Sequence, residues 1–282
     1  MQSGSSVASA ALLLGGHNGL YGGNTMNQEE RRRFLIEELL RERPSCKPQE
    51  IPRDAERQKV LLRSLMNVRH PAAISREFLK VQDAYLHEEL AAKTITRLSD
   101  LRPIQEGIYL WRGDITTLEC GAIVNAANSG MTGCYQPCHN CIDNCIHTYA
   151  GVQLRLKCAE MMAQQGYEEP TGQAKITPAY NLPCDYVIHT VGPIVRGELT
   201  REHCALLESC YRSCLKLADE NGVGSMAFCC ISTGVFMFPN EKAAEIAVDT
   251  VRKYKAETGS KIEVVFNVFK EWDEAIYRKL LR

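Results

Sequence analysis

The chain has 282 residues, of which 45% are hydrophobic and 24% are charged, and its formal net charge is −1. This length suits one large domain or a main domain with a smaller attachment, and the near-neutral charge disfavours nucleic-acid binding by bulk electrostatics. Thirteen cysteines, several of them inside apolar runs, are typical of a reducing compartment rather than a secreted disulfide scaffold. We therefore expect a cytoplasmic protein with an ordinary hydrophobic core.

The start of the chain is rich in Gly, Ser and Asn without apolar periodicity, which predicts a disordered leader over residues 1–27. An apolar run from Val7 to Leu14 is too short to span a bilayer, and no Lys or Arg precedes Arg31. A secretory signal is therefore disfavoured, and we expect no membrane partner. Met26 directly precedes a helical pattern and is a hypothetical alternative start.

Residues 28–101 carry three helical stripes separated by prolines. The first begins near Phe34, the second covers Val60 to Val68, and the third runs from Ser75 to about Leu98. A helical segment of about 75 residues is too small to form a hydrophobic core that is readily stable on its own. We therefore expect it to pack on the remainder of the chain. Whether it gates a pocket or braces the fold is open.

Residues 102–282 alternate short β-type runs with amphipathic helical stretches. The predicted strands are Ile108 to Trp111, Ala122 to Asn125, Tyr186 to Thr190, Ser225 to Ile231 and Ile262 to Phe269. The predicted helices are Ile142 to Gln165, Leu199 to Asn221, Glu241 to Thr258 and Trp272 to Leu281. This alternation indicates a largely parallel sheet between helices, with the ligand crevice at the carboxyl ends of the strands.

Four polar motifs follow predicted strands: GDIT, NAAN, HTVGP and STGVFMFP. The last, Ser232 to Pro239, predicts a phosphate loop, because N–H groups of a Gly-containing turn before a helix can point at an anion. An ordinary strand-to-helix turn is the alternative, since a lone glycine loop is a weak signal. Phe236 and Phe238 would wall a sugar or base in the first interpretation and belong to the core in the second.

The residues of GDIT and NAAN also admit two interpretations. Asn125 and Asn128 suit ribose hydroxyls through their paired donors and acceptors, or they satisfy loop backbone. Asp114 either accepts from an adenine amino group or caps a short helix opened by Thr116 and Thr117.

A Cys/His loop lies between Gly113 and Gly151. Cys134, His139 and Cys141 have the spacing C-x4-H-x-C, and two thiolates with one imidazole favour zinc. Three ligands leave a fourth position open, as in catalytic sites, whereas a structural site is closed by a fourth ligand. Buried thiols without a metal are the third interpretation. The residues close enough in sequence to close the site are Cys138, Cys145 and His147.

Asp143 lies in the first turn of the helix predicted directly after this loop. It complements the helix dipole in the simpler interpretation. Beside a metal and a phosphate loop, a carboxylate is also placed to act as a general base or to hold a ribose.

Taken together, GDIT, NAAN, TPAYNLPCDYVIHTVGP and STGVFMFP resemble the successive signatures of the macrodomain family, whose members bind ADP-ribose. They occur in the family's order and extend from about Gly107 to the end of the chain. The insertion GCYQPCHNCIDNCIHTYAGVQLR resembles the hallmark of the zinc-dependent subclass, protein-ADP-ribose hydrolases with a helical N-terminal segment. The resemblance implies a three-layer α/β/α sandwich with a mixed, largely parallel sheet at 102–282, preceded by a helical segment at 28–101.

The resemblance also implies roles for individual residues. Asp114 and Ile115 would contact adenine, Phe269 would pack on it, and Asn128 would contact the distal ribose. The second phosphate loop would consist of Ser232, Thr233, Gly234, Val235 and Phe236.

At the reaction centre, the resemblance implies a Zn²⁺ cofactor held by Cys134, His139 and Cys141. The residues lining the distal ribose and diphosphate would be Ile142, Asp143 and Asn144. Of these, Asp143 and Asn144 are the catalytic candidates.

Our functional hypothesis is a zinc-dependent hydrolase that removes mono-ADP-ribose from a modified protein side chain. The partners would be an ADP-ribosylated protein and ADP-ribose, with zinc as Lewis acid at the distal ribose. An ester-linked Asp or Glu is favoured as the acceptor, because a carboxylate is a good leaving group. The alternatives are an ADP-ribose reader with a structural zinc, and a zinc-supported interaction protein without a nucleotide ligand.

Overall fold

Three helices precede the main sheet in the structure, a computed structural model that describes residues 26–43 and 50–282. They are α1 (Gln28–Arg41), α2 (Ala55–Val68) and α3 (Arg76–Ala91). The prediction that α3 continues to about Leu98 is wrong. Thr94, Ile95 and Thr96 are β-branched, and the chain here leaves the helix for the two-residue strand β1 (Thr96–Arg97).

Polar side chains cap all three helices at their N-termini. The Asn27 side chain accepts from the backbone amide of Glu30, and the Asn27 backbone amide donates to the Glu30 carboxylate, which makes a capping box for α1. Asp54 and Ser75 accept from the third residue of α2 and α3. Asn27 thus caps α1, while residues 1–25 of the predicted leader lie outside the described part of the chain.

The three helices share a hydrophobic cluster of their own. It includes Leu35 and Leu39 of α1, Leu62 of α2 and Phe78 of α3. The cluster also contains Val152, which lies far beyond the segment in sequence. The segment thus packs on the remainder of the chain, as expected from its small size, while the boundary drawn near residue 101 stays a prediction.

A six-stranded sheet forms the centre of the rest of the chain. Its strands are β2 (Ile108–Arg112), β4 (Ala122–Ala127), β5 (Ala174–Pro178), β6 (Tyr186–Val191), β7 (Ser225–Phe228) and β8 (Glu263–Val268). The order is β2-β8-β7-β4-β6-β5, and only the β5–β6 pair is antiparallel. The short strand β3 (Leu118–Glu119) pairs with β1 outside this sheet.

Two strands of the structure differ from the sequence prediction, and burial explains both differences. β5 was not predicted, because an edge strand is only partly buried and lacks a strong apolar pattern. β7 ends at Phe228, three residues before the predicted end at Ile231. Cys229 and Ile231 are buried although they lie outside the strand, so the apolar run there reports burial and not pairing.

Five helices flank the sheet and complete a three-layer α/β/α sandwich. They are α4 (Ile142–Ala150), α5 (Val152–Gln165), α6 (Arg201–Glu220), α7 (Asn240–Thr258) and α8 (Glu271–Leu280). Helix α6 packs on α7, and α7 packs on α8. Within the described residues, no helix has both the length and the apolar character needed to cross a bilayer.

The prediction of one continuous helix from Ile142 to Gln165 is wrong, because Gly151 breaks it. Gly151 has φ 98° and ψ 170°, a backbone conformation that is essentially restricted to glycine. The amide of Val152 donates to Oε1 of Gln82 in α3 at 2.9 Å, so the break is tied to the N-terminal helices. Apolar residues continue on both sides of Gly151, so the sequence pattern does not indicate the break.

We expect Gly151→Ala to lower the free energy of unfolding by about 1–3 kcal/mol, the cost of such a backbone conformation for a residue with a Cβ. The new Cβ would also lie 2.6 Å from the side-chain atoms of Gln82 and Gln153. Urea denaturation of both proteins measures the difference.

Gly224→Ala is the matched control, because this glycine lies outside the left-handed region and an added Cβ meets no atom within 4 Å. Its effect should stay within about 0.5 kcal/mol. Equal losses in the two variants would contradict the role assigned to Gly151.

Candidate functional site

The parallel strands bring the predicted motifs to one edge of the sheet. β2, β8, β7, β4 and β6 run in the same direction, so their carboxyl ends lie together. The segments that leave these ends include GDIT after β2, NAAN at the end of β4, and STGVFMFP after β7. The candidate site is therefore assembled from loops that are distant in sequence.

Cys134, His139 and Cys141 lie together in the structure. Their donor atoms are all within 4.8 Å of one another, and Cys134 Sγ lies 3.7 Å from His139 Nδ1. A tetrahedral zinc site with ordinary Zn–S and Zn–N bond lengths separates two such donors by about 3.5 Å. Burial raises the pKa of Cys141 to about 12, and a bound zinc ion would stabilise the thiolate and offset this effect. The donor set thus fits zinc in both spacing and chemistry.

The three candidates for a fourth ligand are directed elsewhere. Cys138 Sγ lies 3.5 Å from the carbonyl of Val60, and Cys145 Sγ lies 3.7 Å from Arg63 Nη2. His147 is buried in a separate group of side chains. Within residues 26–43 and 50–282, the group of three therefore contains no fourth Cys, His, Asp or Glu donor.

Asp143 follows the metal-ligand loop, defined as residues 134–141, and lies buried in the first turn of α4 beneath NAAN. Its Oδ1 accepts from Asn125 at 2.8 Å, and its Oδ2 accepts from Asn128 at 3.3 Å. Burial raises the pKa of Asp143 to about 6, although the two amides and the Arg155 guanidinium act in the opposite direction. The carboxylate is therefore held in place by the strand-end asparagines.

The two asparagines of NAAN take different places. Asn125 is fully buried, and its Nδ2 lies between Asp143 and Nδ1 of His189. Asn128 is partly exposed; its Nδ2 also donates to the carbonyl of Gly133, and its Oδ1 accepts from the amide of Gly130. Asn128 therefore satisfies loop backbone and also stands at the candidate site.

A second Cys/His group, which the sequence did not reveal, lies below Asp143. The donor atoms of His147, Cys158 and His189 are within 4.8 Å of one another, and all three residues are buried. Both ring nitrogens of His189 have neutral partners, Asn125 at 3.1 Å and the hydroxyl of Thr177 at 3.0 Å. Burial raises the pKa of Cys158 to about 12. We assign this group to the buried support of Asp143.

Asn144, predicted to be catalytic, is fully buried behind the metal-ligand loop. Its Nδ2 donates to the carbonyls of Cys134 and Gln136, and its Oδ1 accepts from Arg63 at 3.2 Å. The Asn144 side chain therefore holds the metal-ligand loop in place through these hydrogen bonds. Ile142, its neighbour in the first turn of α4, is partly buried against the main core.

Asp114 and Ile115, predicted to contact adenine, are the N-cap and the first residue of a short 3-10 helix over Ile115–Thr117. Asp114 Oδ1 accepts from the amide and hydroxyl of Thr116, which is the capping role considered from the sequence. Its Oδ2 faces Lys93 Nζ at 3.7 Å, just beyond the end of α3. Ile115 is buried, and its prediction as an adenine contact stays untested.

The predicted phosphate loop begins at Ser232, which has a left-handed φ of 64° and a buried hydroxyl. A Cβ on Gly192, the glycine of HTVGP, would lie 2.0 Å from Ser232 Oγ, so the loop requires glycine there. Within the described chain, the amides of Gly234, Val235 and Phe236 donate to no protein acceptor. Such free amides in one turn suit an anion.

The aromatic residues around this loop separate into core and surface. Phe238 is 1% exposed and belongs to the core, as in the simpler of the two interpretations, while Phe236 is half-buried. Phe269, at the end of β8, is 77% exposed, and Val235 is 69% exposed. These exposed apolar side chains leave a surface on which a flat ring can pack.

Two arginines contact the metal-ligand loop and were missed by sequence reasoning. Arg63 of α2 donates to the carbonyl of His139 at 2.7 Å. Arg155 of α5 donates to the carbonyls of Asn67 and Arg69 at 2.6 and 2.7 Å, and to that of Cys134 at 3.4 Å. Local pattern carries no signal for such contacts, because they join positions far apart in sequence.

The geometry and the sequence agree with one known family. The Macro domain family model matches residues 124–247, which include NAAN, the metal-ligand loop and the turn after β7. The chain belongs to the macrodomain family, and the fold expected from the resemblance is confirmed.

Proteins similar to this chain in sequence include named enzymes. The chain is 64% identical over 260 residues to a protein-ADP-ribose hydrolase of Treponema medium, covering 91% of this chain and all of that protein. It is 51% identical over 255 residues to a protein-ADP-ribose hydrolase of Staphylococcus aureus, covering 90% and 96% of the two chains.

A solved structure shows the same fold with a nucleotide ligand. The Trypanosoma brucei macrodomain in complex with ADP-ribose is 32% identical, with a TM-score of 0.61, and the match covers 78% of this chain and 95% of that one.

We expect Cys134→Ala, His139→Ala and Cys141→Ala each to lower zinc affinity by more than about 100-fold, because a direct ligand contributes more than the supporting residues around a metal. Zinc per chain after dialysis against a competing chelator, measured by inductively coupled plasma mass spectrometry, checks this result.

Cys138→Ala is the matched control, since its thiol lies in the same loop but faces the Val60 carbonyl. This variant should keep its zinc. Full zinc in any of the three ligand variants would remove that residue from the set.

Proposed function

We propose that this chain is a zinc-dependent protein-ADP-ribose hydrolase that removes mono-ADP-ribose from modified protein side chains. The names of the Treponema and Staphylococcus relatives support the hydrolase activity. The observation that carries the zinc dependence is the convergence of Cys134, His139 and Cys141 directly before the helix that bears Asp143. The partners are then an ADP-ribosylated protein and the ADP-ribose product.

Three residues of this chain would hold the metal: Cys134, His139 and Cys141. When bound, zinc supplies a Lewis acid that polarises and orients oxygen atoms at the distal ribose. The separation of Cys138, Cys145 and His147 from this group supports an open fourth position.

Asp143 is the carboxylate that we place at the reacting ribose. In the proposed reaction, a water oxygen forms a bond to C1″ as the bond from C1″ to the acceptor oxygen breaks, and the acceptor leaves with the bonding electrons. Asp143 holds the ribose or accepts the proton of the water through Oδ2, whose one partner in the described chain is the 3.3 Å contact with Asn128. Asn125 fixes the other carboxylate oxygen.

The turn after β7 would anchor the diphosphate at a distance from the reacting carbon. The free amides of Gly234, Val235 and Phe236 provide donors for phosphate oxygens, followed by the start of α7 at Asn240. Binding energy gained here fixes the position of C1″ relative to Asp143. Exposed Phe269 would pack on adenine.

The acceptor that we favour is the carboxylate of an Asp or Glu side chain. An ester releases a carboxylate, which is a stable anion at neutral pH, whereas an arginine N-glycoside releases a much more basic group.

The described cysteines are all free thiols, which supports a reducing compartment such as the cytoplasm.

The test uses a peptide carrying mono-ADP-ribose on a glutamate, incubated with zinc-loaded, chelator-stripped and zinc-reloaded protein. We expect release of ADP-ribose with zinc, loss of release after stripping, and recovery after reloading. Asp143→Asn should lower the rate by about 10²- to 10⁴-fold, the range for a positioned proton-transfer group, while it still binds ADP-ribose.

Asp249→Asn is the control, because this carboxylate is exposed on α7 away from the site, and it should leave the rate unchanged. Turnover that survives complete zinc removal would reject the catalytic metal. Binding of ADP-ribose without release would instead establish a reader module with a structural zinc.

Gly192→Ala should weaken ADP-ribose binding by at least about tenfold, or about 1.4 kcal/mol, because the new Cβ displaces Ser232 at the start of the proposed phosphate loop. Isothermal titration calorimetry measures the dissociation constant, and zinc content should not change. Unchanged affinity in a folded variant would remove this turn from the binding site.

A further inference from the structure

The N-terminal helical segment reaches the metal-ligand loop through α2. Nη2 of Arg63 donates to the carbonyl of His139 at 2.7 Å and to Oδ1 of Asn144 at 3.2 Å. His139 is a metal ligand in the proposed function, and Asn144 lies in the first turn of α4 beside Asp143. One nitrogen thus ties a ligand to the helix that carries the carboxylate.

A second residue of α2, Asn67, bonds the same loop at Cys138, the residue before His139. Asn67 Oδ1 accepts from the amide of Cys138 at 2.9 Å, and its Nδ2 donates to the hydroxyl of Thr148 in α4 at 2.9 Å. Cys138, which directly precedes His139, has a left-handed φ of 52°. This turn is strained for a non-glycine residue and needs such external support.

The stretch that joins two of the proposed ligands has no regular secondary structure. Four residues separate Cys134 from His139, and the stretch between them is irregular. A ligand's affinity for a metal depends on groups that orient it, and losing such a group usually costs 10- to 100-fold. Arg63 is placed to orient His139, since it bonds the main chain of that ligand.

We propose that Arg63 is a positioning residue of the zinc site, so that the N-terminal helical segment forms part of the catalytic centre. This inference rests on the proposed function, because it requires a metal on Cys134, His139 and Cys141. Arg63 is not itself a metal ligand or a substrate contact. It acts through the backbone of His139 and the side chain of Asn144.

The test compares Arg63→Met, Arg63→Lys and Arg69→Ala in the full-length protein. Methionine keeps the apolar stem and removes the donor, and we expect zinc affinity to fall by about 10- to 100-fold. Lysine keeps a donor and the charge without the planar fork, so it should recover part of this loss. Competition with a chromophoric chelator gives the affinities, and the visible spectrum of the cobalt-substituted protein reports the ligand geometry.

Arg69→Ala is the matched control, because Arg69 is a buried arginine just beyond α2 whose side chain bonds Glu42 and not the metal-ligand loop. It should lower stability without altering the cobalt spectrum. Equal losses of zinc affinity in Arg69→Ala and Arg63→Met would overturn the proposal in favour of a general brace.

Two further outcomes separate this inference from the proposed function. A wild-type protein that binds no zinc would refute the zinc-dependent function itself. A wild-type protein that binds zinc, with Arg63→Met and Arg63→Lys binding as tightly and with the same cobalt spectrum, would refute only the role of Arg63. If Arg63→Met does not fold, the comparison of wild type with Arg63→Lys decides, and an unchanged spectrum and affinity in Arg63→Lys would overturn the proposal.

Discussion

The loop from Cys134 to His139 has no regular secondary structure in the described chain, so its main-chain carbonyls depend on donors from elsewhere. Buried or partly buried side chains supply them. Arg63 satisfies the carbonyl of His139, while Arg155 and Asn144 donate to that of Cys134. Without these bonds the carbonyls would be left unpaired at a considerable cost. The positions of the proposed metal ligands therefore depend on side chains of the surrounding helices.

The N-terminal helices contact both ends of the candidate site. At one end α2 supports the metal-ligand loop, and at the other Lys93 pairs with Asp114 and lies 3.9 Å above the ring of Tyr149. The shared cluster around Val152 and the bond from Val152 to Gln82 join the same helices to α5. These contacts favour bracing over gating, the question that the sequence had left open.

The sequence predicts helices and strands correctly where the local spacing of apolar residues is distinctive. Strands β2, β4, β6 and β8 and helices α6 to α8 lie within a few residues of prediction, because buried strands and amphipathic helices have distinct periods. The sequence also predicted that Cys134, His139 and Cys141 lie close together, because soft donors at short spacing are rare.

The errors have several causes. The break at Gly151 is tied to a tertiary contact, the early end of α3 follows from a short β-branched run, and edge strand β5 has a weak pattern. Arg63 contacts the loop across 76 residues of sequence, a distance at which no local signal exists. That separation has a consequence for folding order. The loop has its full set of hydrogen-bond donors only when α2 is docked on α4. A metal held by Cys134, His139 and Cys141 would therefore meet its native ligand arrangement late in folding, when most of the loop-closure entropy is already spent.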